Sequence, residues 1–470
     1  MVVFALRQPG VGYSLAVALL GLLCSACASL STQTKYYEQI QRDWRGGNTA
    51  AAITALERAR QEGKFADKDR FLYYFDSGLA YHFADSFSVS NRRLDQAEQA
   101  ADELFTKSIS RAAASLVLND NVLDYAGEDY EVLYANLFKA LNYLALDDFE
   151  GAFVEIRRAN LTLQQLEQKY FEAAKTFRAA QASDSLRPVL DYEVQPSRFA
   201  NSAFARYLSM HMYAAAGQWD DARIDHDLLN EAFATQPEIY DFPMPAVDYQ
   251  STGFGQLSVV AMVGSAPEKR DLKLRLRTDK QLDLVQILYD GADDNEPVYG
   301  QFPAPIAEDY YFKFAIPVMT PGATTVRRIR VVVDGEPIGE LQLLEDISKV
   351  ATETFEAKKT LIYLRTVARA LVKGLAAHEL KAKMDKDDVG SWLLKFAVDA
   401  GTDVLENADL RCSRLLPAKI YVGDFTMPPD HYDVRAEFLD DVGAVVAVIS
   451  RPGFEVVANH FNLASLFCPL

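Results

Sequence analysis

The segment NLFKALNYLALDDFEGAFVEIRRAN, Asn136–Asn160, decides the fold of the N-terminal half of this chain. Six small or apolar residues recur in it at steps of three and four, broken once at Asp147-Asp148: Ala140, Tyr143, Phe149, Ala152, Ile156 and Ala159. This spacing places them on one face of a helix, and the break predicts a turn between two helices. Small residues at the crossing and aromatic residues beside it predict a tightly packed helical hairpin.

Similar patterns recur before and after this segment. Arg206–Leu229 has a turn at Gly217-Gln218, and a weaker copy has a turn at Gly46-Gly47-Asn48. A fourth copy is predicted from four residues: Leu94, Ala97, Ala101 and Leu104. Paired helices of this kind are typical of the tetratricopeptide (TPR) repeat, so about Lys35 to Phe233 is predicted to form a TPR-like solenoid.

The spacing of these repeats is irregular. The alanines expected at the helix crossings lie 45, 55 and 70 residues apart, at Ala52, Ala97, Ala152 and Ala222. A strict array would give multiples of about 34 residues. We therefore expect a degenerate solenoid with insertions, and a non-repetitive helical bundle is the alternative.

The helical pattern stops between Gln236 and Gly255, where prolines and glycines cluster. The hydrophobic period then changes to two, which predicts strands. The predicted strands are Gln256–Val263, Leu272–Thr278, Asp283–Tyr289, Tyr310–Met319, Val326–Val333, Ile338–Leu344, Lys419–Phe425, Tyr432–Phe438, Ala444–Ile449 and Phe454–Asn459. Asp334-Gly335 predicts a hairpin turn. Helices are predicted at about Ile347–Met384 and Ser391–Asn407.

Together these patterns predict an α+β fold. Residues 1–26 are a predicted lipoprotein signal peptide, 27–240 an all-α TPR-like domain, and 250–470 an α+β domain. The last domain is predicted to hold strands within 256–345 and 418–460 and an inserted helical pair at about 347–407. A sheet that is interrupted by helices and then continues predicts a sandwich-like domain with the helices packed on one face.

The N-terminus has the layout of a bacterial lipoprotein signal peptide. Arg7 is followed by a 13-residue apolar run, Val11–Leu23, and by Cys24-Ser25-Ala26-Cys27. The run is shorter than the ~20 residues of a membrane-spanning helix. We predict that Cys27 is lipidated and becomes the first mature residue; Ala28, which is not Asp, favours the outer membrane, with the protein on its periplasmic face. The alternative is cleavage after the Ala-Cys-Ala pattern, which gives a soluble periplasmic protein.

The net negative charge of the chain argues against nucleic acid as a partner. The 470-residue chain has 48 Lys and Arg against 66 Asp and Glu, a net charge of −18. Residues 1–26 contain one arginine and no acid, so their removal leaves −19. Nucleic acid is not expected as a partner, because phosphate binding needs clustered Lys and Arg. The same charge repels an anionic membrane, so attachment must come from the acyl chains.

Two further motifs accompany the signal peptide. They are Asn119-Asp120-Asn121 followed by Tyr125, Tyr130 and Glu131, and Ala408-Asp409-Leu410-Arg411 running through Leu416-Pro417 to Pro428-Pro429. With the signal peptide they make the chain resemble a family of uncharacterised bacterial lipoproteins with a TPR-like N-terminal half, whose second motif reads ADLR-x-W…LP…PPG-x-Y. This chain has Ser413 for the Trp and Asp430 for the Gly, and it keeps Tyr432. The resemblance implies a fold and a location but no catalytic residues.

No catalytic motif is found in the sequence. It lacks a G-x-S-x-G nucleophile elbow, a phosphate-binding loop and a dinucleotide fingerprint. His378-Glu379 begins like a zinc-protease motif, but Ala382 stands where the second histidine is needed. The acidic group Asp290, Asp293, Asp294 and Glu296 lacks calcium-loop spacing. We expect no enzyme, no metal and no cofactor, while a Ser-His-Asp set assembled by folding stays open.

Two sets of residues are candidate sites besides Cys27. Cys412 and Cys468, the cysteines that follow Cys27, either form a disulfide or remain buried thiols. A basic stripe of four residues shares one face of a predicted helix: Lys358, Arg365, Arg369 and Lys373. The stripe is a candidate dock for an anionic partner, and the alternative is that it pairs with the chain's own acids.

Aromatic residues crowd one helical stretch: Phe71, Tyr73, Tyr74, Phe75, Tyr81, Phe83 and Phe87. Most are expected to pack between helices, and the alternative is a groove for an extended peptide or a glycan. We expect a non-enzymatic scaffold that binds another envelope protein through the solenoid, with the β-rich half as a second docking module. The alternative is a glycan-binding or glycan-processing envelope protein with its site between the two halves.

Overall fold

The structure is a computed structural model that describes residues 37–114, 123–181, 199–249, 254–265, 267–290, 298–303, 309, 311–359, 362–363, 366 and 408–470. In this part of the chain the N-terminal half is helical and the C-terminal half holds three sheets, so the predicted α+β class is confirmed. None of the described helices is both long enough and apolar enough to cross a membrane.

The eight described helices before residue 236 form four hairpins, each made of two consecutive helices in contact. They are α1 (Tyr37–Arg45) with α2 (Thr49–Gln61), α3 (Arg70–His82) with α4 (Phe87–Ala114), α5 (Asp129–Ala145) with α6 (Phe149–Gln181), and α7 (Ala203–Ala215) with α8 (Trp219–Thr235). A short 3-10 helix, Asp67–Asp69, precedes α3.

All four hairpins use the same turn. After the first helix comes a residue with positive φ: Gly47 at 73°, Asp85 at 54°, Asp147 at 58° and Gly217 at 72°. The N–H of the next residue then bonds to the carbonyl five positions back, as Ser86 N does to Tyr81 O at 2.9 Å. This is the long bond of a Schellman motif, and glycine or aspartate suits it because both tolerate a left-handed backbone.

The turn sets the register of each second helix. Five residues after each positive-φ residue, the side chain is small and fully buried: Ala52, Ser90, Ala152 and Ala222. The predicted equivalence of Ala97 with Ala52 is therefore wrong. Ala97 lies twelve residues after Asp85, as Ala59 lies twelve after Gly47. The turn at Asp85 contains no glycine, so the sequence pattern did not mark it.

Twelve strands follow the helices in the described part of the chain. They are β1 (Gly255–Val263), β2 (Glu268–Asp279), β3 (Leu284–Tyr289), β4 (Val298–Pro303), β5 (Tyr311–Thr320), β6 (Arg328–Val333), β7 (Glu336–Glu340), β8 (Gln342–Asp346), β9 (Lys419–Met427), β10 (Asp430–Leu439), β11 (Val445–Val456) and β12 (Asn462–Cys468). Residues 347–359 form a helix, α9, between β8 and β9. The rest of the predicted helical pair lies almost entirely outside the described residues.

The strands form three four-stranded sheets. The first sheet has the order β12-β1-β9-β8, the second β11-β10-β6-β7, and the third β4-β3-β2-β5. Only the β1–β12 pair is parallel among the described pairs. The hairpin predicted at Asp334-Gly335 joins β6 to β7, and both turn residues have positive φ, at 51° and 90°. Such φ values match the right-handed twist of a two-residue hairpin.

The first sheet lies between the helices and the second sheet. Val260 and Met262 of β1 belong to the same buried cluster as the helices. Val259 and Ala261, which point to the opposite face, share a second cluster with residues of the second sheet such as Phe438. The helical half and the first sheet therefore share a continuous hydrophobic core, and β1 is buried on both faces.

Most predicted strands are confirmed, two predicted strands differ from the structure, and two observed strands were not predicted. Strands β4 and β12 were not predicted. The predicted strand Phe454–Asn459 is wrong, because β11 continues to Val456 and the next strand begins at Asn462. The predicted strand Ile338–Leu344 is divided between β7 and β8, which belong to different sheets.

Candidate functional site

We call the boundary between the helices and the sheets the seam. It holds a layer of buried charge, with Arg411 at the centre of that layer. Arg411 Nη1 donates to Asp69 Oδ1 at 2.7 Å and to Leu123 O at 2.9 Å. Its Nε and Nη2 donate to Asp409 at 2.8 and 2.7 Å, and the guanidinium lies 5.1 Å from the Tyr125 ring centre. Burial alone would raise the pKa of Asp409, but Arg411 and Lys269 lower it to about 2.

Ser413 connects the same segment to two buried acids. Its N–H donates to Glu131 Oε1, and its hydroxyl donates to Asp76 Oδ1, each at 2.5 Å. Glu131 also accepts a bond from the Tyr125 hydroxyl at 2.7 Å. Burial, followed by the nearby charge of Glu128, raises the pKa of Glu131 to about 7. Burial likewise raises the pKa of Asp76 to about 6.

Lys358 is part of the seam, where it pairs with the chain's own acids, and its predicted role in partner binding stays a prediction. Its Nζ lies 3.0 Å from Glu128 Oε2 and 2.8 Å from Asp129 Oδ2, and Glu128 also binds Lys269. The two acids stand at the start of α5. Because a carboxylate that is removed from water needs a cation beside it, Lys358 stabilises them. Lys358 therefore pairs with the chain's own acids. Arg365, Arg369 and Lys373 lie outside the described residues.

A further buried acid, Glu345, joins the first sheet to the helices. It accepts hydrogen bonds from the hydroxyls of Tyr134, Ser202 and Tyr240 and from Phe204 N, at 2.5 to 3.1 Å. Its side chain is fully buried, and burial raises its pKa. The donors all come from the helical half, so this carboxyl fixes β8 against the helices.

A Ser-His-Asp group occurs in the seam, but it is not arranged for nucleophilic catalysis. Ser258 Oγ donates to Asp424 Oδ1 at 2.7 Å, and His211 Nε2 lies 3.4 Å from Asp424 Oδ2. A catalytic serine must give its proton to the histidine, whereas this serine bonds to the aspartate. Burial would raise the pKa of Asp424, but His211 and the hydroxyls of Ser258 and Tyr207, which donate to Asp424, lower this pKa. The group is an anchor between β9 and α7.

A cavity of about 560 Å³ lies at one end of the seam. It is bordered by the α3–α4 turn, the end of α5, and strands β11 and β12. Apolar and aromatic side chains dominate its lining: Phe83, Phe87, Leu141, Leu144, Ile449, Phe454, Phe461, Leu463, Leu466 and Phe467. Its volume is within the range of ligand pockets, roughly 300–1,000 Å³.

The histidine and the charged side chains of this cavity are already engaged. His82 Nδ1 lies 2.6 Å from Asn142 Oδ1, and burial lowers the pKa of His82 to about 4. Arg451 Nη1 and Nη2 each bond to Asp85 at 2.9 Å. Arg451 Nη2 also reaches Ser465 O at 3.3 Å. His82 is therefore neutral near pH 7, and at that pH it cannot act as a general acid.

A smaller cavity of about 40 Å³ lies beside α7 and α8. Its rim holds two exposed aromatic side chains, Trp219 and Phe254. The buried Gln256 Nε2 lines the cavity and has no hydrogen-bond partner among the described residues. A cavity of this size has room for roughly one water molecule, so a larger ligand with a flat apolar face would rest on the exposed rings at its rim.

The remaining predicted site residues divide into two groups. Cys27 lies outside the described residues. Cys412 and Cys468 are buried free thiols in the structure, which is the second of the two alternatives and not a disulfide. Within the described ranges, no three His, Cys, Asp or Glu side chains form a group that could hold a metal ion.

A scan against protein-family models, a search of curated proteins and a search of solved structures each find nothing that matches this chain. The resemblance to the lipoprotein family therefore stays a prediction. The structure does bring parts of its two motifs together, since Tyr125 and Glu131 lie beside Arg411 and Ser413 in the seam. Both motifs are visible in the sequence, but their contact depends on folding and was not predicted.

Proposed function

We propose that this protein is a non-enzymatic scaffold that binds another protein of the bacterial cell envelope. The observation that carries the proposal is the character of the cavity at the seam. Its lining is apolar and aromatic, its charged pair Asp85 and Arg451 is closed on itself, and His82 is neutral. A catalytic site needs a group that gives or takes a proton near the working pH. The properties of this cavity therefore favour the binding of a partner over catalysis.

The helical half supports the same function. We assign its four hairpins to a degenerate TPR-like array, because one turn geometry and one buried small residue recur in each. The turns lie 38, 62 and 70 residues apart, and the extended helices α4 and α6 account for part of that irregularity. The first two sheets share a core, which supports a sandwich-like arrangement. Helical arrays commonly present surfaces to protein partners.

The proposed location is the periplasmic face of the outer membrane, with attachment through acyl chains on Cys27. Cys27→Ala should move the protein from the membrane fraction to the soluble periplasm, because two or three acyl chains supply the binding that a chain of charge −19 lacks. Cell fractionation and labelling with a fatty-acid probe measure this. A variant that stays with the membrane, together with an unlabelled wild type, contradicts the lipoprotein assignment.

Protein binding is tested by in-cell photo-crosslinking. A photoreactive amino acid is placed in turn at surface positions of both halves, including the cavity rim, with the exposed turn residue Asp441 as a control. The proposal predicts discrete protein adducts at clustered positions and none at Asp441. Uniform absence of protein adducts contradicts the scaffold function.

Binding of an envelope glycan is a second candidate, favoured by the small cavity at Trp219. Side chains of Trp219 and Phe254 are 45% and 57% exposed, and aromatic faces of this kind stack on sugars. Trp219→Ala should then reduce retention on insoluble cell-wall material, whereas Ile224→Ala, also exposed on α8, should not. Equal retention of both variants removes this candidate.

A further inference from the structure

The cavity at the seam opens onto an edge of the first sheet. β12 ends the strand order β12-β1-β9-β8, and no other described strand pairs with its outer side. Five consecutive residues of β12, 463–467, line the cavity. Consecutive residues of a strand point to opposite faces, so a lining of this kind means that the main chain itself borders the space.

The outward backbone groups of β12 can be assigned. Cys468 O accepts a bond from Gly264 N, just after β1, at 2.9 Å, so the even-numbered residues direct their backbone groups to β1. Arg451 reaches Ser465 O from the other side. Because the direction alternates along a strand, Leu463, Ser465 and Phe467 direct their N–H and C=O groups into the cavity. Such an edge is a template for a further strand.

We infer that the cavity binds an extended apolar segment of a partner protein, which adds to β12 as a fifth strand of the first sheet. This inference rests on the proposed function and specifies the chemistry of the partner. Leu144 faces the added strand from the helical side and Ile449 faces it from the second sheet. A strand covered on both faces is a continuous apolar run, because neither set of alternate side chains meets water.

The backbone edge favours a peptide over an acyl chain. An acyl chain would fill the apolar space but would leave the outward N–H and C=O groups of β12 without partners. The Arg451–Asp85 pair closes this edge, and the two side chains are 39% and 51% exposed. Exposed ion pairs contribute little stability, so a partner strand can displace Arg451 from Ser465 O.

The inference is tested by photo-crosslinkers at position 144 and, separately, at position 449 of the full-length chain in cells. Mass spectrometry then locates the captured residues. The expected result is one short partner segment, with residues i and i+2 captured from position 144 and residue i+1 captured from position 449. Captured residues at helical spacing, or adducts that carry only a lipid mass, overturn the inference.

A backbone variant tests the same edge independently. Ser465→Pro removes an outward N–H, and proline is tolerated at an edge where the N–H does not serve the ladder. Adduct yield at both positions should fall about tenfold with Ser465→Pro and stay unchanged with Ser465→Ala, which keeps the N–H. Circular dichroism confirms that both variants are folded. Equal yields in the two folded variants overturn the inference.

Failure of the inference and failure of the proposed function are distinguishable. Protein adducts at other surface positions, with none at positions 144 and 449, overturn the strand-addition site alone. The scaffold function fails as well when no scanned position yields a protein adduct.

Discussion

At the scale of single residues, the buried charges of this protein are neutralised by partners far along the chain. Arg411 binds Asp69, which is 342 positions away in sequence. Lys139 is fully buried and binds Asp95, Glu98 and Glu155 at 2.6 to 3.0 Å. Charge composition predicted an acidic surface, but it could not predict these pairs, because they depend on which helices and loops meet after folding.

Loss of Arg411 should be costly. Arg411→Met leaves the buried Asp69 and the partly buried Asp409 without their main cation, and breaking a buried pair in this way costs about 3–5 kcal/mol. Urea unfolding measures the change in the free energy of unfolding. The matched control is Arg223→Met, because Arg223 forms an exposed pair with Asp227 worth at most about 1 kcal/mol. Similar losses in both variants would show that the seam charges are not buried.

Glu131 should make stability depend on pH. Its folded pKa of about 7 exceeds the ordinary value of 4.5, so the folded state binds a proton more tightly than the unfolded state. Its contribution to stability therefore rises as pH falls from about 7 to 4.5. Glu131→Gln removes this titration. The unfolding free energy of the wild type minus that of the variant should therefore increase as pH falls from about 7 to 4.5. A difference that stays constant over this window would contradict the raised pKa.

At the scale of elements, the hairpin turns show which helices could be predicted from the sequence and which could not. Turns with glycine at positions 47 and 217 were found in the sequence, and so was the Asp147-Asp148 turn, because an apolar period surrounds it. Asp85 was missed, and with it the register of α4. β12 was missed because its run NLASLFC follows a loop without a proline or glycine to mark its start. Local signals thus predicted the elements better than their boundaries.

Ala152 tests the packing of a hairpin. It is fully buried on α6, five residues after the positive-φ residue Asp147. Ala152→Leu should overpack the crossing and lower the free energy of unfolding by roughly 1–3 kcal/mol. Val154, on the same helix, is 45% exposed, so Val154→Leu should change stability by less than about 0.5 kcal/mol. Unchanged stability in the Ala152 variant would place that residue at the surface.

At the scale of the whole molecule, the two halves are not independent modules in the described part of the chain. The first sheet gives one face to the helical core and the other to the second sheet. Arg411, Ser413, Glu345 and Asp424 add polar contacts across the seam. The period change after residue 236 predicted where helices end and strands begin, but it carried no information on this shared core. The cavity proposed for binding exists only because both halves border it.

Hydrogen exchange, followed by mass spectrometry, tests most directly whether the halves form one folding unit with the binding cavity at their seam. Our account predicts that Arg411→Met accelerates exchange both in the helices α3 and α5 and in strands β1 and β9, by similar factors, because opening the seam exposes the common core. Arg223→Met should leave both regions unchanged. Acceleration confined to the strands, with the helices as protected as in the wild type, would contradict the account.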